Sequence, residues 1–107
     1  MSYKIKIATD FTNAPGPDKE ENGKNSGEKF LNVLLEPQYV KARAQGEKLV
    51  VDLDGAFGYV TAFLREAFGG LQKRHIEDKV DEWLIIISND QPSRYDRILE
   101  YIKGEQK

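Results

Sequence analysis

The chain has 107 residues, with 16 Lys plus Arg against 18 Asp plus Glu, one His and no Cys. That length fits one domain spanning 1–107, and an apolar fraction of 39% is enough for one core. A net charge of -2 argues against nucleic acid as a partner, since such binders present a basic face. Disulfides, thiolate nucleophiles and cysteine zinc sites are excluded, and the lone His75 cannot build a multi-histidine centre, so no metal or cofactor is expected.

The opening MSYKIKIATD alternates apolar and polar residues, with Tyr3, Ile5 and Ile7 on one face of an edge strand. It lacks the apolar core of a signal peptide. The longest apolar run, Trp83 to Ile87, is far short of a membrane span. A cytoplasmic protein without a membrane partner is expected. Residues 10–27, rich in Gly, Pro, Asn and charge, read as a long mobile loop.

Ser26 is placed to cap a helix striped by Phe30, Leu31, Leu34 and Leu35. Pro37 should end or kink it, with Tyr39, Val40 and Ala44 continuing the packing and Gly46 closing the segment. Lys48 to Asp54 reads as a buried strand, and Gly55 to Val60 as a glycine-bearing turn. Thr61 then caps a helix whose face is Phe63, Leu64, Ala67, Phe68 and Leu71. Gly69 and Gly70 within it predict a close approach to a sheet. Trp83 to Ser88, unbroken in its apolar character, reads as a central strand buried on both faces. Asn89, Asp90 and Pro92 signal the start of a last helix, with Tyr95, Ile98, Leu99 and Ile102 as its stripe and Gly104 as its stop.

Two acids at a strand end, Asp52 and Asp54 in VVDLDGA, match the nucleophile motif of haloacid-dehalogenase-type phosphatases. Leu84 to Asn89 resembles their second motif. The likeness then stops: Ala56 replaces the usual Thr, and only residues 90–107 follow Asn89, too few for the strand that carries the metal-binding acids. A small magnesium-dependent phosphate-handling enzyme using Asp52 and Asp54 is therefore the alternative. Without it these acids bind loop N–H groups, and no catalytic residue is assigned. Gly16 and Gly23-Lys24 lack the spacing of a phosphate-binding loop, since Asn25 follows the Lys. Thr61, at a helix N-terminus, could carry a phosphate favourably, because that end attracts anions.

Three blocks resemble the STAS-like domains of unknown function of bacteria and phages, relatives of the anti-sigma-factor antagonists. They are PGP at 15–17 with Gly23, SGEKF at 26–30, and VDLDGAFGYVTAFLREAFGGL at 51–71, of which FLREAFGGL is the most specific. The resemblance implies an α/β sandwich, a mixed sheet of about four strands with helices against it, in the order β-α-β-α-β-α. It also implies a regulatory, non-enzymatic protein-interaction module.

In the antagonists, Asp-Ser-Ser-Gly-Leu opens a helix, and a histidine-kinase-like ATPase phosphorylates its first Ser. Here Val60, Thr61, Ala62, Phe63 and Leu64 occupy those places, so only the hydroxyl and the Leu are kept. The expected docking surface is the 55–63 loop and the helix behind it: Asp54, Gly58, Tyr59, Thr61, Arg65 and Glu66. Thr61 is the expected phosphorylation site. Some relatives bind guanine nucleotides, which makes a nucleotide-binding sensor a further alternative. The sequence leaves the oligomeric state open.

Overall fold

The computed structural model describes residues 3–12, 15–16, 26–56, 58–59 and 61–104. Residues 13–14 and 17–25 of the expected loop, and Phe57 and Val60 of the expected turn, lie outside them. Strand β1 is Tyr3–Lys6, followed at once by a single turn, α1, at Ile7–Asp10. Helix α2 runs without a break through Gly27–Phe30, a wide π segment at Leu31–Leu35, and Glu36–Ala44. Strand β2 is Leu49–Asp52. Helix α3 is likewise continuous through Thr61–Leu64, a π segment at Arg65–Gly69, and Gly70–Arg74. A 3-10 turn at Val80–Trp83 leads into β3, Leu84–Ile87, and helix α4 closes the chain at Ser93–Lys103.

The protein is α/β, as expected, but its described sheet has three strands, all parallel, in the order β1-β2-β3. The expected sheet was mixed and of about four strands. The register places Tyr3, Leu49 and Leu84 in one row and Ile5, Val51 and Ile86 in another. These alternate positions face the helices: Ile5, Leu49, Val51 and Leu84 are buried, with Tyr3 and Ile86 packed against them.

The apolar run at 83–88 is not the central strand. β2 is central, β3 lies at an edge, and Ile85 is 45% exposed. Apolar character alone could not separate the two strands, because both are short and aliphatic. Leu49–Asp52 is the one paired on both sides.

Helices α2, α3 and α4 form one layer, with α3 in contact with both neighbours. Phe30, Leu31, Leu35, Phe63, Phe68, Leu71 and Ile98 from that layer are fully buried. Glycine lets the helices meet. A Cβ on Gly27 would sit within clashing distance of the Phe63 carbonyl oxygen, one on Gly70 would be 2.7 Å from Leu31, and one on Gly69 would be 3.2 Å from the Tyr101 carbonyl. The Gly69-Gly70 pair therefore serves helix-to-helix approach, not approach to the sheet.

Pro37 neither ends nor breaks α2. The wide turn just upstream, where the Glu36 N–H reaches back to the Leu31 carbonyl, accommodates a residue with no donor and a bulky ring. Beyond it Tyr39 and Ala42 are buried, whereas Val40 is 48% exposed and Ala44 is exposed. The stripe of α4 is likewise turned by one residue from the expected one. Arg94, Ile98, Tyr101 and Ile102 are buried, and Tyr95 is exposed. Gly104 ends α4 in the left-handed conformation at φ 73°. Among the described residues no helix is long and apolar enough to cross a membrane.

Candidate functional site

The carboxyl end of a parallel sheet is where open α/β folds place ligands. Here that end is built from the residues just past β2 and β3. Asp52 is buried, and both its oxygens are engaged: Oδ1 accepts from the Asp54 N–H at 2.9 Å, and Oδ2 lies 3.5 Å from Lys6 Nζ at the end of β1. Gly55 turns the chain at φ 95°, beside Ala8 and Lys6. Asp54 Oδ1 then accepts from the Asp90 N–H at 3.0 Å, which ties the β2 turn to the β3 turn. That hydrogen bond, with others from Asp90 and Asn89, holds the Asp54 carboxyl below the usual carboxylate range.

Tyr59 stands over this junction. Its hydroxyl donates to the Leu53 carbonyl at 2.9 Å and its ring lies 5.9 Å from Phe63. Burial pushes the phenol well above its ordinary pKa, so it stays protonated and donates. The Arg94 guanidinium lies 4.8 Å from the Tyr59 ring centroid, donates to Asp90 Oδ1 at 2.7 Å and reaches Ser88 Oγ at 3.3 Å. Arg94 is only 7% exposed, so its charge is offset by that carboxylate, the hydroxyl and the ring face. Ser88 Oγ in turn donates to the Gln91 carbonyl.

Of the residues singled out in the sequence, Asp54 and Tyr59 are joined through the Asp90–Arg94 pair. Gly58 lies between them with open space where a Cβ would stand. Thr61 is exposed and is the first residue of α3, and no acid lies in that first turn. Arg65 belongs to a different face: its guanidinium is 5.6 Å from the Tyr101 ring on α4. Glu66 is half-buried on α3. Asp90 and Asn89 do not cap α4, since Pro92 flanks it without a side-chain cap. Asp90 is instead used by Arg94. Sequence reasoning missed Lys6, Ser88, Asp90 and Arg94 as site members. The available signal was the i, i+4 spacing of Asp90 and Arg94 across a helix start.

Asp52 and Asp54 thus anchor turns, with three of their oxygens already accepting. Among the described residues no group of three or more His, Cys, Asp or Glu is placed to hold a metal.

A family model for a STAS-like domain of unknown function matches residues 26–94. The chain belongs to that family. The STAS-like segment begins at Ser26, whose Oγ accepts from the Lys29 N–H at 3.0 Å to cap α2, and ends on Arg94. It therefore contains Asp54, Tyr59, Thr61 and Asp90 and both partners of the Tyr59–Arg94 contact. β1 and most of α4 lie outside it. No curated protein and no solved structure matches the chain.

The STAS-like segment carries a second polar network that the sequence did not announce. Glu36 meets Arg74 at 2.7 Å and His75 at 2.9 Å, joining α2 to the end of α3. Burial pushes the Glu36 carboxyl up, and the hydrogen bonds from Arg74 and His75 outweigh it, leaving it below its ordinary value. Asp78 accepts from Tyr39 Oη at 2.8 Å and from two Arg43 nitrogens at 3.3 Å each. Those bonds hold Asp78 low, while burial and then the Asp78 contact raise Tyr39 to about 12. Arg43 also covers the Trp83 ring at 4.0 Å. Shallow cavities of about 480 and 350 Å³ open here, lined in part by Gln72, Ile76 and Lys79 and by Tyr39, Val40 and Arg43 respectively.

Proposed function

We propose that this chain is a non-catalytic, cytoplasmic regulatory module that docks a protein partner through the 55–63 segment and the start of α3. A phosphate on Thr61 switches that docking, and the fitting partner is a histidine-kinase-like ATPase. Membership of the STAS-like family supports a non-catalytic module. The observation that carries the reading is the exposed Thr61 at the N-terminus of α3, two residues past Tyr59, whose hydroxyl is bonded to the Leu53 carbonyl beyond β2.

The chemistry is direct. A phosphate there adds nearly two negative charges where the helix dipole and free N–H groups favour them. No acid in the first turn opposes it. The same added charge changes the surface that a partner must match.

The test is phosphotransfer. The protein is incubated with a histidine-kinase-like ATPase from the same genome and ATP, and modified peptides are mapped by mass spectrometry. Phosphate on Thr61, lost in Thr61→Val, is the expected result. Absence of modification, or modification at other residues unaffected by Thr61→Val, contradicts the switch. Turnover of a phosphoester with magnesium that Asp52→Asn abolishes would replace this reading with the enzyme alternative.

A further inference from the structure

Thr61 and Arg65 stand one turn apart on α3, both exposed, and Gly69 lies one turn further on, against the Tyr101 carbonyl. The row therefore follows the seam between α3 and α4. Arg43, Arg74 and Arg94 each hold an acid, namely Asp78, Glu36 and Asp90. Arg65 differs. Its helical neighbours three and four positions away, Thr61, Ala62, Phe68 and Gly69, offer it no carboxylate. Among the described residues no acid pairs with its guanidinium, which is turned towards α4 and lies 5.6 Å from the centroid of the buried Tyr101 ring.

We infer that Arg65 is the positioning residue for the phosphate on Thr61: its guanidinium leaves the Tyr101 ring, forks onto the phosphate and so carries the switch from the start of α3 to the surface of α4. This inference rests on the modification of Thr61 proposed above and names the group that reads it. Spacing, charge and geometry select Arg65. Side chains four apart on a helix have Cβ atoms about 5–6 Å from each other, and an anion N-terminal to the cation is the favourable order. A phosphate brings nearly two negative charges and three acceptor oxygens, which match the planar fork of a guanidinium. An exposed cation over a phenol ring is held loosely, whereas a charge-assisted, two-pronged contact is strong. The ring contact therefore yields. Before modification Thr61 presents only a neutral hydroxyl, so Arg65 stays over Tyr101. After it, the face of Tyr101 that the guanidinium covered is open to water or to a partner.

The test places phosphothreonine at 61 during translation, so its readout needs no kinase. Failure of an ATPase to modify Thr61 would leave this result standing, and failure here would leave that modification standing. In the phosphoprotein the Arg65 Nε–H resonance should shift and its exchange with water should slow, and the Tyr101 ring protons should move, relative to the unmodified chain. A general phosphatase should remove the phosphate about threefold faster from Arg65→Gln than from the parent, with Arg65→Lys between the two. Arg65 is exposed, so both variants should fold, as circular dichroism can verify. Thr61→Glu should move the Tyr101 resonances in the same direction by a smaller amount, since one carboxylate carries less charge. Unmoved Arg65 and Tyr101 resonances in the phosphoprotein, equal phosphatase rates for parent and Arg65→Gln, or a phosphate-dependent Tyr101 shift that persists in Arg65→Gln would each overturn the inference.

Discussion

Arg94 shows how one side chain can hold a site together without being legible as part of it. Its neighbours Tyr95 and Ile98 fit an apolar stripe, which draws the reading of α4 one residue out of phase. In the fold the buried position is taken by the arginine, because Asp90, Ser88 and the Tyr59 ring stand ready to receive it. Asp54 and Tyr59 were visible in the sequence as polar and aromatic residues at a strand end. The residues that fix them come from a segment 36 positions away in the case of Asp90, and no local pattern connects the two.

Arg94→Ala removes the donor to Asp90 and Ser88 and uncovers the Tyr59 ring, while Ser88 keeps its bond to the Gln91 carbonyl. The cost should be about 2–3 kcal/mol in urea unfolding, and Arg94→Lys should recover only part of it, because a compact ammonium lacks the planar guanidinium that lies over the Tyr59 ring. Tyr59→Phe loses only the bond to the Leu53 carbonyl and should cost about 1 kcal/mol.

At the scale of elements, the three long helices were legible in rough extent, since apolar spacing and Gly stops mark them. The short α1 turn at Ile7–Asp10 was not: Ile7 continues the alternation of β1 in sequence and is helical in the fold, so the order is not the expected β-α-β-α-β-α. The π segments were not legible either. They answer to packing at Leu31–Leu35 and Arg65–Gly69, which are paired across the α2–α3 contact. Glycine substitution tests that contact. Gly27→Ala forces a methyl against the Phe63 backbone and should cost about 2–4 kcal/mol. Gly70→Ala meets only the end of the Leu31 side chain and gains about 1 kcal/mol of helix propensity, so it should cost far less. Equal losses in thermal or chemical unfolding would mean that the helices do not approach as described.

The polar network between α2 and the segment after α3 makes a pH prediction. The carboxyls of Glu36 and Asp78 lie below their ordinary values of 4.5 and 3.8 in the folded chain. Their contribution is therefore fully present above those values and is lost as pH falls through the lowered ones. Melting temperature should hold steady from neutral pH to about pH 5 and then fall in acid. Asp78→Asn, expected to cost on the order of 1 kcal/mol at neutral pH, should flatten that acid limb. An unchanged limb would mean that the Tyr39–Asp78–Arg43 contacts are not made in solution.

For the whole molecule, the alternation of strand and helix signals was enough for the α/β class and the family, but not for the sheet. Two short aliphatic runs, at 49–52 and 84–87, look alike in sequence. Strand order follows from which helices cross between them, which is a property of the assembled layer. The consequence is functional: the strand ends gather Asp54, Tyr59, Asp90 and Arg94 beside the start of α3.

The central claim is that this end of the molecule docks a partner under control of Thr61. Calorimetric titration of the chain with a histidine-kinase-like ATPase tests it most directly, comparing the parent with Tyr59→Ala and Thr61→Glu. The account predicts saturable binding by the parent and at least about tenfold weaker binding by both variants, each folded by circular dichroism. Undiminished affinity in both variants would contradict it.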